Sequence, residues 1–177
     1  MCGDTEQFET QLASLADGYE PREQELILNA GRFAFEAHQG ARRLSGEPFI
    51  SHPLAVARIL KEQNLSAKTV AAGLLHDTVE DCDDISDDAL RQRFGEEIAA
   101  LVHGVTKIQR QAPRGTPQGE QLNTYRRLVL ASAEDLRVMV IKLADRLHNM
   151  RTISALPPER QLEVARESSK IYPPIAK

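Results

Sequence analysis

GLLHDTVED, residues 73–81, begins like a buried helix and ends in a cluster of charge. Val70, Ala71 and Leu74 lead into it at helical spacing, and His76, Asp77, Glu80 and Asp81 follow within six positions. On one continuous helix, at about 100° per residue, those four side chains fall within an arc of roughly 140°. Carboxylates on such a helix lie near the core, where unpaired charge is expensive. Ser66 is placed to cap this helix, which the spacing carries through Glu80.

Outward from that stretch the apolar spacing stays helical. Segment 22–39 places Leu26, Ile27, Ala30, Phe33, Ala34 and Ala37 at intervals of three and four, and Pro21 suits its first turn. HPLAVARILKEQ (52–63) repeats the pattern, a short helix fits 86–93, and Ile98, Leu101, Val102 and Val105 mark another from Glu96 to Lys107. QRQAPRGTPQG (109–119) has no apolar period and reads as a mobile loop. Helical spacing returns in 120–132 and 134–150, and Pro157 and Pro158 open a last helix over about 159–172. VMVIKL alone could be a short buried strand, but Leu143, Leu147 and Met150 extend its stripe at helical intervals. No hairpin signal and no repeat interrupts this. The reading is an all-α domain of about eight helices.

Composition narrows the function. The 177 residues fit one domain with a sizeable core, and 41% hydrophobic and 27% charged residues are ordinary for a globular protein. Aromatic residues are 5%, Trp is absent and the formal charge is −4, which argues against direct nucleic-acid binding through base stacking or a broad phosphate-backbone face. Cys2 and Cys82 form neither a disulfide framework nor a CxxC pair. The N-terminus has no basic start followed by an apolar run, and no segment reaches the roughly 20 apolar residues of a membrane span. A cytoplasmic protein without membrane contact is expected.

His52 starts a helix after SGEPFISHP, His76 and Asp77 are adjacent on the next, and Asp145 lies far downstream in VIKLADRLHNM. Taken singly, each has an ordinary explanation: a core histidine, or an aspartate paired with Lys142 or Arg146. Together they supply mixed imidazole and carboxylate donors, which suit a divalent transition metal such as manganese or iron better than calcium or a thiolate-bound zinc. A metal would also neutralise carboxylates that could not all stay ionised in a partly buried site.

These residues follow the H…HD…D pattern and resemble the HD phosphohydrolase superfamily. More narrowly, RRLSGEPFISHPLAVARIL, AAGLLHDTVED, FGEEIAALVHGVTKI and VIKLADRLHNMRT resemble, in order, the hydrolase domain of Rel/Spo alarmone enzymes. The resemblance implies an all-α HD-type helical bundle over residues 21–177, with 1–20 as an N-terminal extension. It implies one manganese ion held by His52, His76, Asp77 and Asp145. The implied reaction removes the 3′-pyrophosphate of (p)ppGpp to give GDP or GTP and pyrophosphate, degrading the alarmone of the stringent response. Glu80 and Asp81 match the pair that activates water and assists departure of the 3′-oxygen. Arg43 matches an arginine that packs on the guanine base, Ser45 belongs to the SGEP loop, Asn149 matches an asparagine near the ribose, and Thr152 sits one turn further. Lys142 and Arg146 are placed to offset phosphate charge or to pair internally, and Arg42 to reach a phosphate or face solvent.

Two positions depart from the pattern. Leu44 stands where a basic residue is common, and Asn123, within QLNTYRR (121–127), where a glutamate is common. SSKIYPPIAK resembles the lead into a synthetase domain, which implies a possible downstream synthetase in a longer parent chain. Two other readings stay open: an HD phosphohydrolase of another nucleotide, such as ppApp or NADPH, and a noncatalytic module that senses the alarmone. The intact Glu80–Asp81 pair favours catalysis over the last.

Overall fold

The computed structural model describes residues 2–82, 84–110, 130 and 133–171. Most of the loop expected at 109–119, nearly all of the helix at 120–132, Asn123 and the end of the SSKIYPPIAK segment lie outside the described residues. Within them the chain forms α1 (Cys2–Ala16), α2 (Pro21–Ala37), α3 (Ser51–Glu62), α4 (Ala67–Leu75), α5 (Thr78–Asp81), α6 (Asp87–Phe94), α7 (Glu96–Arg110), α8 (Leu136–Arg151) and α9 (Pro158–Ile171). A 3₁₀ turn, Ile153–Ala155, joins the last two. No strand occurs among the described residues, and Arg42 and Pro48 form an isolated antiparallel bridge. The all-α bundle of about eight helices is what the spacing predicts, with α5 a single turn.

The helix starts follow from local chemistry. Pro21 opens α2, where its missing N–H costs nothing, and Glu20 and Glu23 form a reciprocal capping box around it. Ser66 caps α4 by accepting from the Thr69 amide, as its position in the sequence predicts, and Ser86 does the same for α6 from Ala89. Asp135 caps α8 by accepting from the Arg137 amide at 2.9 Å.

The centre of the bundle is α4, packed against α2, α3, α7 and α8. VAAGLL is small or apolar on every side, and a helix apolar all round is buried all round. Gly73 lets α3 approach, since a Cβ there would stand 2.4 Å from Leu60 Cδ1. This close crossing brings the start of α3, with His52, beside the end of α4, with His76. Crossing α3 on another side, α8 delivers Asp145.

Three features differ from the expectation. First, the helix does not run unbroken through Glu80: α4 ends at Leu75, and a new turn starts from Asp77. Side chains take carbonyls that a continuing helix would use, His76 Nδ1 lying 2.8 Å from the Gly73 oxygen and Thr78 Oγ1 donating to Leu75 at 2.7 Å. Second, the apolar stripe of α8 identifies the helix, but only its Val138 and Ile141 lie on the buried face. Leu136, Leu143 and Leu147 are exposed, whereas Ile141, Lys142, Ala144 and Asp145 are buried. Third, the segment 1–20, an extension in sequence, enters the core in space through Phe8, Leu12 and Leu15. Leu12 lies against Gly31 of α2 and has no exposed surface. Leu12→Ala is expected to cost about 2–5 kcal/mol of unfolding free energy, measured by urea denaturation. A loss under about 0.5 kcal/mol, the range of surface changes, would mean that α1 adds nothing to the domain.

Candidate metal centre and nucleotide cleft

His52, His76, Asp77 and Asp145 are all buried, and they converge from three separated segments. Nε2 of His52 lies 3.3 Å from Asp145 Oδ1 and 3.5 Å from Asp77 Oδ2. Nε2 of His76 lies 3.1 Å from Asp77 Oδ1. One donor atom from each of His52, His76 and Asp77 falls within 4.8 Å of the others. Asp145 joins this group through His52 and is held from behind by Lys142 Nζ at 2.6 Å and Asn149 Nδ2 at 2.6 Å.

The donor set fits a divalent cation. Because its Nδ1 faces the Gly73 carbonyl, His76 must carry its proton there when neutral, which leaves Nε2 as a lone pair inside the cluster. That Nε2 is fully buried and, despite its closeness to Asp77, lacks the alignment of a hydrogen bond. Without a metal, the cluster must find its positive charge elsewhere. Burial opposes protonation of His76, but the Asp77 and Asp145 charges prevail and raise it to about 9. Burial likewise disfavours ionised Asp77, yet the positive charge of His76 beside it holds Asp77 down at about 2. Asp145 is held well below its ordinary value against burial, chiefly by Lys142. Two buried carboxylates thus stay ionised around one imidazolium proton. A cation would take that proton's place.

The cluster floors a cleft of about 480 Å³. His76 sits behind the wall, and the other eleven residues predicted from the sequence line it. Glu80 and Asp81 stand on α5, one turn beyond the His76–Asp77 break, Glu80 partly buried and Asp81 at the rim. Partial burial and the nearby Asp77 charge raise the Asp81 carboxyl above its ordinary value. Opposite them is the 41–49 loop, with Arg43 and Ser45. Its turn depends on Gly46 at φ +87°, whose amide donates to Arg43 at 2.9 Å. Arg42 donates to the Gly46 carbonyl at 2.6 Å, bracing the loop while bordering the cleft. Arg43 Nη2 donates to Asn149 Oδ1 at 3.1 Å, so Arg43 and Asp145 share one asparagine.

Helix α8 supplies much of the remaining wall, completed by Ala155, Leu156 and Val164. Lys142 is buried and pairs with Asp145, Arg146 pairs with Glu167 of α9 at 3.1 Å, and the Thr152 hydroxyl donates to the His148 carbonyl at 3.1 Å. Internal pairing is thus present at both cations, which still line the cleft. Leu44 is 78% exposed at the rim.

Two residues given no role from the sequence belong to the site. Phe49 lies edge-on to His52, with ring centroids 6.3 Å apart, and packs on His38 at 4.5 Å. His148 places its Nδ1 2.8 Å from that of His52. The sequence puts His148 on the same helix face as Asp145, which was the available signal; its contact with His52 spans 96 positions and has none.

Comparison with known proteins follows the same lines. A family model described as an HD domain matches residues 30–177. A probable guanosine-3′,5′-bis(diphosphate) 3′-pyrophosphohydrolase of Synechocystis is 50% identical over 151 residues, covering 85% of this chain and 20% of that protein. The bifunctional (p)ppGpp synthase/hydrolase SpoT of Escherichia coli is 42% identical over 166 residues, covering 93% of this chain and 23% of that one. The chain therefore spans about a fifth of the length of these relatives. A solved metazoan orthologue of SpoT, described as hydrolysing ppGpp, shares the fold with a TM-score of 0.65 at 24% identity, over 86% of this chain and 84% of that one.

Proposed function

This chain belongs to the HD-domain family, in its Rel/Spo branch, and from that premise we propose that it hydrolyses the 3′-pyrophosphate of (p)ppGpp with one manganese ion. The observation that carries the reading is the His52 ring, whose Nε2 faces Asp77 and Asp145 together at the floor of a cleft edged by Glu80, Asp81 and cations. His52, His76, Asp77 and Asp145 would hold the ion. Two nitrogens and two carboxylates suit manganese, and leave room in a larger coordination sphere. When bound, the ion supplies positive charge against phosphoryl oxygens and makes a nearby water easier to deprotonate.

The protein's own groups divide the rest of the work. Glu80 accepts a proton from the water that attacks the phosphorus next to the 3′-oxygen. The bond from phosphorus to that oxygen breaks, pyrophosphate leaves, and the 3′-oxygen takes a proton to become the hydroxyl of GDP or GTP. Asp81 is the donor this reading assigns, since its raised affinity for a proton is the direction a general acid needs. Lys142 and Arg146 offset phosphate charge, the flat Arg43 guanidinium packs on the base, Ser45 belongs to a loop near the nucleotide, and Asn149 stands near the ribose with Thr152 one turn further along. The chain, with α1 packed into the same core, would be the hydrolase part of a longer protein with a synthetase domain downstream.

Incubation with ppGpp and Mn²⁺ is expected to yield GDP and pyrophosphate in equal amounts, and EDTA should stop it until Mn²⁺ is restored. Faster release from ppApp, or phosphate loss from NADPH in place of ppGpp cleavage, would move the substrate to another nucleotide. Tight ppGpp binding with no pyrophosphate release under Mn²⁺ would make the domain a sensor and end the catalytic proposal.

A further inference from the structure

His148 stands on α8 between Asp145 and Asn149, and the hydrolytic reading leaves it without a task. Its Nδ1 lies 2.8 Å from His52 Nδ1, the rings tilted by 45° with centroids 4.9 Å apart. Two imidazole nitrogens at that distance cannot both be bare, because their lone pairs repel, nor both protonated, because the hydrogens collide. One proton lies between them. The other nitrogen of His52 faces Asp145 at 3.3 Å and Asp77 at 3.5 Å. The location of the shared proton therefore decides what His52 offers those carboxylates. With the proton on His148, neutral His52 carries its own on Nε2 and donates it toward them. With the proton on His52 Nδ1, Nε2 presents a bare lone pair to a cation lying among them.

We infer that His148 is a positioning residue for metal binding: its Nδ1 accepts from His52 Nδ1–H and holds His52 in the tautomer whose Nε2 can ligate. This rests on the metal-site reading above. The exchange between the two states balances, with both rings neutral throughout. His52 loses a proton at Nε2 and gains one at Nδ1 from His148, and His148 takes up one at its own Nε2. His148 is only partly buried, which permits that uptake.

The second ligating imidazole is oriented differently. His76 donates from Nδ1 to the Gly73 carbonyl, an acceptor in any state and beyond reach of side-chain substitution. His148 can donate or accept, so it sets a preference that a single replacement can remove. Because α8 also carries Asp145, one helix face both supplies a ligand and orients another.

The test is Mn²⁺ affinity without nucleotide, read from the electron paramagnetic resonance of the free ion, for wild type, His148→Leu and His148→Gln. Leucine fills the space without an acceptor, while the glutamine carbonyl can accept from His52 Nδ1–H. His148→Leu is expected to weaken binding about 10–100-fold, the scale of lost outer-shell partners, and His148→Gln to recover most of it. A merely structural role would not separate the two variants. Affinity for His148→Leu within twofold of wild type, or His148→Gln as weak as His148→Leu, overturns the inference. Wild type that binds no Mn²⁺ sinks the metal-site reading and this inference together, whereas tight wild-type binding with indifferent variants sinks this one alone. Should His148→Leu not fold, ¹⁵N spectra of the wild-type protein loaded with diamagnetic Zn²⁺ decide the matter. His52 protonated at Nδ1 supports the inference, and any other protonation pattern there refutes it.

Discussion

Replacing Asp77 with asparagine is expected to abolish pyrophosphate release and, with it, the stabilisation that Mn²⁺ confers on the wild-type protein. The substitution keeps the shape of the side chain and removes one of two carboxylate charges, at the position whose oxygens face both His76 and His52. Since the ligands come from three separated segments, only the folded chain assembles them, and the cation binds that state preferentially. At free metal 100-fold above its dissociation constant this is worth about 2.7 kcal/mol, or roughly 5–11 °C in melting temperature for a chain of this size. Asp77→Asn should lose nearly all of that rise. The metal-free variant should nonetheless fold: the charge on His76 depends largely on Asp77, and without it burial favours the neutral ring. Calorimetry with and without Mn²⁺ checks this, and an undiminished rise in the variant would remove Asp77 from the ligand set.

Glu80→Gln should separate chemistry from metal binding. Glutamine preserves size and polarity at the cleft wall but cannot accept a proton, so turnover of ppGpp is expected to fall about 10²- to 10⁴-fold, or roughly 3–5 kcal/mol of transition-state stabilisation. Mn²⁺ affinity should stay within a few-fold of wild type, because Glu80 stands a turn away from His76 and Asp77 on the separate turn α5. The two variants thus give opposite signatures: one loses metal and turnover, the other turnover alone. Wild-type turnover in Glu80→Gln would take the proton-accepting role away from this residue, and parallel loss of metal would place it among the ligands.

Most of the helices could be read from the chain because their signals are local. The cap at Ser66, the proline opening α2 and the three- and four-residue apolar intervals all act within a turn or two. The break at His76–Asp77 was hidden for the opposite reason: histidine and aspartate are compatible with helix, and the interruption depends on side chains capturing the Gly73 and Leu75 carbonyls. On α8, periodicity established a helix but did not reveal that Leu143 and Leu147 are exposed. The buried side carries Lys142 and Asp145 among Val138, Ile141 and Ala144, and it is their pairing that lets the two charged groups share the apolar face.

The sequence by itself determined the kinds of donor available, His52, His76, Asp77 and Asp145, and the carboxylate pair one turn further on, since residue identity and short spacing are written in the chain. Tertiary structure alone decided that these donors share one floor, that Asn149 links Arg43 to Asp145, and that His148 meets His52. The physical reason is range. Helical periodicity and capping are fixed by neighbours a few residues apart, whereas the orientation of an imidazole depends on a partner 96 positions away, brought there by the packing of α3 against α8.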